Sequence, residues 1–145
     1  AVESSVAGVA ISTDIIVGFP GETEALFQQS LEFAARMNFA RMHVFPYSRR
    51  RGTPAASMPN QVPPAVKKDR VHRMQQLADK KAAEFHAGFI GQPVDVLFET
   101  AYEGIWNGLT GNYIRVYTEG TVQGGHIQRV VLERLFRDGV WGRLI

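Results

Sequence analysis

Apolar and polar positions change their rhythm three times along the chain. Val9-Ala10-Ile11-Ser12-Thr13-Asp14-Ile15-Ile16-Val17 is a short, β-branched and mostly apolar run, which predicts a strand buried on both faces. Gly18-Phe19-Pro20-Gly21 breaks that run. Beyond it Phe27, Leu31, Ala34, Ala35 and Asn38 recur at spacings of three and four, the period of one helix face. Thr23 is suited to cap this helix, and Glu24 to sit in its first turn. Met42-His43-Val44-Phe45-Pro46-Tyr47 predicts a second strand. Strand, glycine-rich turn, helix and strand make a βαβ unit, with parallel strands and a right-handed crossover.

Periodicity then lapses from about Ser48 to Val62, a stretch holding Pro54, Pro59 and Arg49-Arg50-Arg51. A loop of this length inside a compact domain is functional or mobile. Pro63-Pro64 opens a helix that runs to about His86. Val71, Met74, Ala78, Ala82 and Phe85 form its apolar stripe, and Lys67, Lys68, Arg70, Arg73, Lys80 and Lys81 crowd its remaining surface. After Gly88, β-rich runs at 94–99, 105–109, 113–119, 126–136 and 140–145 alternate with glycines, and Arg137-Asp138-Gly139 signals a tight turn. Such a series predicts a small antiparallel barrel. The expected fold class is α/β followed by all-β, with domains 1–87 and 88–145.

Composition narrows the chemistry. The 145 residues include no cysteine. This excludes disulfides, cysteine zinc sites, thiolate-held iron–sulfur clusters and a cysteine nucleophile within the chain. His43, His72, His86 and His126 lack metal-ligand spacing, so no metal site is expected. No apolar run reaches the length of a membrane span, and the first residues lack the pattern of a signal peptide; a soluble, cytoplasmic protein is the expectation. The net charge of +2 conceals an asymmetry: residues 1–35 carry five acids and no Lys or Arg, whereas residues 36–81 carry eleven basic residues against Asp69 and Asp79. A central stretch this basic either faces a polyanion or is a solvated surface.

Two segments are candidates for binding. Gly18-Phe19-Pro20-Gly21-Glu22-Thr23 joins a parallel strand to its helix, at the carboxyl end where α/β barrels place their sites. Its backbone N–H groups can hold a polar ligand, although a plain connection has the same composition. Glu22 is expected to touch ligand, and Asp14, within the strand, to be a structural acceptor tying the turn. Tyr47-Ser48-Arg49-Arg50-Arg51-Gly52-Thr53-Pro54 leaves the second strand at the same end, with arginines suited to phosphates beside a ring suited to a base. In the tail, Trp106, Tyr113, Tyr117, Phe136 and Trp141 are expected mostly in the core. Arg115, Arg129, Arg134 and Arg143 are the candidates there for phosphate contacts. No nucleophile–base or acid–base pair stands near the turn, so no catalytic residue is assigned.

Taken together these residues resemble a known family. Thr13-Asp14-Ile15-Ile16-Val17-Gly18-Phe19-Pro20-Gly21-Glu22-Thr23 resembles the late-barrel motif of the radical S-adenosylmethionine methylthiotransferases. Phe45-Pro46-Tyr47-Ser48 with Arg51-Gly52-Thr53-Pro54-Ala55 resembles their next strand and loop, and the tail resembles their TRAM domain, a small OB-like RNA-binding barrel. Val44-Phe45-Pro46-Tyr47-Ser48 and the run from Trp106 to Val116 are most similar to the branch that acts on threonylcarbamoyladenosine in tRNA.

The resemblance implies the last β/α units of a partial TIM barrel followed by TRAM. It implies an enzyme that adds a methylthio group to C2 of the modified adenosine beside the anticodon, using S-adenosylmethionine and two 4Fe-4S clusters. Gly18, Phe19, Gly21, Glu22, Phe45 and Pro46 then border the cofactor, and Arg49, Arg50, Arg51, Arg115 and Arg129 face tRNA. Without cysteine the chain holds neither cluster. The expectation is an inactive C-terminal fragment whose partners are tRNA and the missing N-terminal part of the same polypeptide, with no membrane partner. Two parallel strands leave edges and apolar faces uncovered, so self-association through them is a further expectation. A stand-alone tRNA-binding module and a small-molecule α/β enzyme are the alternatives.

Overall fold

The computed structural model describes residues 2–145, with side chains from Ser4 onward. The elements in order are α1 (Val2–Ser5), β1 (Ser12–Val17), α2 (Glu24–Arg36), β2 (Arg41–Pro46), α3 (Pro54–Ser57), α4 (Pro64–Ala87), β3 (Pro93–Tyr102), β4 (Ile105–Thr110), β5 (Arg115–Glu119), β6 (Ile127–Phe136) and β7 (Gly139–Leu144). They group into two compact units: residues Ile11–Ala82, and the residues from Ala83 onward together with those preceding Ile11. The division falls inside α4.

In the α/β unit, β1 and β2 pair in parallel from Ser12↔Arg41 to Val17↔Pro46, as the βαβ pattern requires. Thr23 caps α2, its hydroxyl accepting from Leu26 N–H at 3.2 Å. Val17 and Met42 from the strands pack with Phe27 and Ala34 of α2 and Met74 and Ala78 of α4, flanked by Ile15, Leu31, Val44 and Val71. Strand side chains alternate between faces, so the opposite face of this sheet carries Ile16 and Phe45, which are 60% and 50% exposed. The strand is therefore covered on one face, not both, because only two strands and one helical layer form this unit. Ala35 and Asn38 of the expected α2 stripe are also exposed. The long connection after β2 is not wholly irregular, since α3 forms within it.

Helix α4 departs from the sequence reading in a second way. Arg70 and Lys81 lie on its buried side with Met74 and Ala78, not on the solvated surface. Spacings of four, four and three put all of these on one stripe, so the two cations continue the apolar row at either end. Lys81 Nζ donates to Ala35 O at 2.9 Å, so the ammonium satisfies a carbonyl in the last turn of α2 while its stem stays packed.

The second unit is a closed five-stranded barrel of order β3-β4-β5-β7-β6, with β3 pairing β6 to complete the ring. It is not purely antiparallel. β7 runs parallel to β5 through Val116↔Val140 and Tyr117↔Trp141, because the β6–β7 hairpin carries the chain back between β5 and β6. Closure removes exposed strand edges. The approach is tight at Gly139, where any Cβ would overlap the Arg115 backbone. Val96, Phe98, Ile114, Val116, Val130, Leu132 and Val140 fill the interior, with Phe85 and Phe89 packed against them.

Of the aromatics expected in the core, Tyr117 is buried and Trp106 packs on the core's edge. Tyr113 instead is 71% exposed, and Phe136 and Trp141 are half-buried. Tyr113 adopts φ 64°, which delays the start of β5 to Arg115. The turn is held by Thr110 Oγ1, which accepts from Ile114 N–H at 2.9 Å.

Truncation of Phe98 to Ala should cost about 3–5 kcal/mol in chemical unfolding, whereas Ile16→Ser should change stability by no more than about 0.5 kcal/mol. His86, beside Phe85, has its pKa lowered by burial and only partly restored by the charge of Asp138. The folded state thus binds fewer protons at this group than the unfolded chain, so stability should fall as pH drops through the ordinary histidine range near 6.5. Thermal melts from pH 8 to 5 should show this decline, and His86→Leu should flatten it.

Candidate functional site

Two glycines with positive φ shape the connection from β1 to α2: Gly18 at 76° and Gly21 at 84°. Only Gly takes this conformation without strain. At Gly18 a side chain is also excluded sterically, because a Cβ would overlap the stem of Lys67. Gly21 N–H donates to Asn60 O at 2.9 Å, and Glu22 N–H to Phe19 O at 2.9 Å.

The Glu22 carboxylate folds back into the turn. Its Oε1 accepts from Gly18 N–H at 2.9 Å and from Arg70 NH1 at 2.7 Å. The same Arg70 nitrogen also donates to Glu22 O at 2.9 Å. Arg70 is only 4% exposed, so an anion beside it is a necessity. One turn earlier on α4, Lys67 Nζ donates to Tyr47 O at 3.0 Å and lies 5.8 Å from the centre of the Tyr47 ring. Tyr47 also meets Phe19 edge to face, with ring centroids 5.4 Å apart. Its hydroxyl is buried without a hydrogen-bond partner among the described residues. The carboxyl ends of both strands are thus clamped from behind by Lys67 and Arg70.

The structure gathers Gly18, Phe19, Gly21 and Glu22 in this turn, with Phe45 and Pro46 at the end of the adjacent strand. Phe19 and Phe45 are substantially exposed. Glu22 ties the turn, the structural part expected of Asp14, while Asp14 itself is exposed on the open sheet face, in register with His43. Arg49, Arg50 and Arg51 are exposed on the following loop. Arg115 and Arg129 belong to the barrel unit. Arg115 Nε lies 3.3 Å from Asp138 and its NH1 donates to Asn107 Oδ1 at 3.1 Å, while Arg129 Nε lies 3.9 Å from Asp95. The sequence pattern placed Lys67 and Arg70 on the solvated surface and Tyr47 as a base-stacking ring, without the contacts that join them to the strand ends. The available signal was the placing of Arg70 on the buried stripe, four residues before Met74.

Much of the central positive charge is consumed within the unit. Arg73 NH1 donates to Glu24 at 2.7 Å and to Asp69 at 3.3 Å, and Arg73 lies over the Phe27 ring at 4.7 Å. With Arg70 and Lys81 also engaged, α4 presents far less charge to solvent than its sequence suggests. A cavity of about 680 Å³ adjoins this unit, lined by Thr13 and Ile15 of β1 and by Leu26, Ser30 and Phe33 of α2, and shares Glu22 with the turn. No helix among the described residues is long and apolar enough to cross a membrane.

Replacing Arg70 by Met leaves the part-buried Glu22 carboxylate without its ion pair and should cost about 3 kcal/mol. It should also release the Gly18 amide, so hydrogen exchange at Gly18 should accelerate beyond the change at core amides such as Val96.

No protein-family model matches the chain. Curated proteins do. Threonylcarbamoyladenosine tRNA methylthiotransferase of Bacillus subtilis is 40% identical over 137 residues, covering 91% of this chain and 30% of that enzyme. The tRNA-2-methylthio-N(6)-dimethylallyladenosine synthase of Moorella thermoacetica is 47% identical over 92 residues, covering 63% of this chain and 21% of the enzyme. That of Erythrobacter litoralis is 37% identical over 139 residues, covering 94% and 31%. The chain spans at most about a third of the length of these relatives. Through matches that run across both of its structural units, the chain belongs to the tRNA methylthiotransferase family.

Proposed function

We propose that the chain is the C-terminal portion of a cytoplasmic radical S-adenosylmethionine methylthiotransferase that modifies C2 of N6-threonylcarbamoyladenosine next to the anticodon of tRNA. The observation that carries this reading is the 40% identity with the threonylcarbamoyladenosine enzyme over 91% of the chain. A dimethylallyladenosine enzyme matching a comparable span is 37% identical. The parallel strands, with their glycine turn at the carboxyl end, support the reading of residues 1–87 as the end of a radical S-adenosylmethionine barrel. The closed five-stranded barrel supports the reading of 88–145 as an OB-like TRAM module.

The residues present do not fit an iron–sulfur cluster: the sequence holds no thiol, and no group of three potential ligands assembles among the described residues. On this reading the clusters are held by the upstream part of the same polypeptide, and the chain alone is inactive. The turn suits S-adenosylmethionine better. A Cβ at Gly21 would meet nothing within 4 Å, so a ligand can approach this backbone closely. Phe19 within the turn and Phe45 near the end of β2 are both substantially exposed. The cofactor supplies a radical and a methyl group when bound. The chain's own part is to fix the turn through Arg70, Glu22 and Gly18, and to offer the main chain at Pro46. Arg49, Arg50, Arg51, Arg115 and Arg129 are the assigned tRNA contacts. The unpaired edge of β1 and the cavity beside α2 support a covering partner, either the upstream segment or a second copy. The second reading, a module that only binds tRNA, is favoured by the self-contained core of the barrel.

Deleting the reading frame in its source organism should abolish 2-methylthio-threonylcarbamoyladenosine in tRNA, measured by mass spectrometry of nucleosides. Loss of the dimethylallyl nucleoside instead would move the chain to the other branch. Joint replacement of Arg49, Arg50 and Arg51 by Ala should lower the tRNA affinity of the chain and shrink the slope of log affinity against log salt by up to about 3.

A further inference from the structure

Three rings and two guanidiniums are stacked on the barrel. Tyr117 of β5 and Phe136 of β6 meet edge to face at 5.3 Å, and Phe136 meets Trp141 of β7 at 5.1 Å. Arg134 Cζ lies 5.2 Å from the centroids of both Phe136 and Trp141. Arg137 Cζ lies 5.4 Å from Tyr117 and 5.0 Å from Phe136. The rings are anchored at one end by the Tyr117 hydroxyl, which donates to Asp138. Asp138 in turn pairs with Arg115.

Ion pairing separates the five barrel arginines. Arg115 faces Asp138, Arg129 faces Asp95, and Arg143 Nε lies 2.9 Å from Glu133. Arg134 and Arg137 make no ion pair among the described residues and are exposed. Their positions are nonetheless defined by the rings beneath them, at distances where cation–π attraction operates. Arg137 also sits at φ 52° between the paired residues Phe136 and Gly139. For a residue with a side chain, that left-handed conformation costs on the order of 1 kcal/mol.

We infer that this ladder, Arg134 and Arg137 on Tyr117, Phe136 and Trp141, is an RNA-docking surface that holds phosphates through the two guanidiniums and stacks an unpaired base. Phosphate recognition follows from the two unpaired cations. Base stacking follows from the exposed guanidinium planes and the half-buried rings of Phe136 and Trp141 beneath them, which a purely electrostatic contact with an acidic protein does not require. The inference rests on the tRNA reading above. It moves the main contact of the barrel from Arg115 and Arg129, whose charges are met by carboxylates, to two residues whose charges are not.

The test is titration of the 145-residue chain with a labelled tRNA anticodon stem–loop at several salt concentrations, in a Trp106→Phe background so that Trp141 alone reports. RNA should quench Trp141 emission. Arg134→Gln with Arg137→Gln should weaken binding at least about tenfold and reduce the salt slope by about 2. The double Lys variant should keep the slope but lose affinity and quenching, because an ammonium does not stack. Arg143→Gln should bind within about twofold of wild type, since its charge is already paired with Glu133. Circular dichroism melts establish that each variant is folded. If the double Gln variant binds as wild type does while Arg129→Gln weakens binding, the ladder is not the surface, although the tRNA reading stands. If polyglutamate binds as tightly as RNA without quenching, the surface is an acidic-protein dock and the inference fails. If the wild-type chain binds no RNA even at low salt, the inference and the tRNA reading fall together.

Discussion

A guanidinium taken out of water needs an anion, and the α/β unit is arranged around that need. Arg70, carried on the buried stripe of α4, finds Glu22 at the start of α2. Glu22 can meet it only by folding back over its own turn, and in doing so it accepts the Gly18 N–H. Gly18 has to be glycine because its φ is positive and because Lys67 occupies the space a side chain would need. The geometry of the turn between β1 and α2 is thus set by a helix that begins more than forty residues later. The neighbouring strand end is tied to the same helix through Lys67 and Tyr47. One helix therefore registers both strand termini against each other.

This also accounts for the uneven charge along the chain. The acids of the first segment and the bases of α4 are partners, Glu22 with Arg70 and Glu24 with Arg73. A linear charge count describes the sequence, but the surface sees only what is left after internal pairing. The same distinction operates in the barrel, where carboxylates meet three arginines and aromatic rings support the other two.

The order of the strands and of α2 and α4 was legible in the sequence because each of these had its own period: β-branched runs for the strands, three-and-four spacing for the two helices, and Arg137-Asp138-Gly139 for the last hairpin; the single-turn α1 and α3 are too short to show a period. The parallel contact between β5 and β7 was not legible, since local pattern carries no information on which distant strands pair. Burial of Arg70 and Lys81 was misread because charged residues are presumed solvated; their spacing from Met74 and Ala78 contained the answer. The contrasting fates of Asp14 and Glu22 follow from the pleat and from Arg70. Asp14 falls on the sheet face that no helix covers, and Glu22 falls where the buried cation waits. Phe136 and Trp141 were read as core for their size, but alternation along β7 points Val140 inward and Trp141 outward, and the register shift between Leu132 and Arg134 puts Phe136 on the outer face with Trp141, opposite Val130 and Leu132.

The hairpin residue Arg137 has a consequence for the energetics of association. A long side chain normally surrenders rotamer freedom when it meets a partner, up to about 2 kcal/mol for arginine. Here the left-handed backbone and the rings of Tyr117 and Phe136 impose that loss when the barrel folds. Whatever the guanidinium then engages meets a preorganised group, so the gain falls chiefly on the lifetime of the complex and not on its rate of formation.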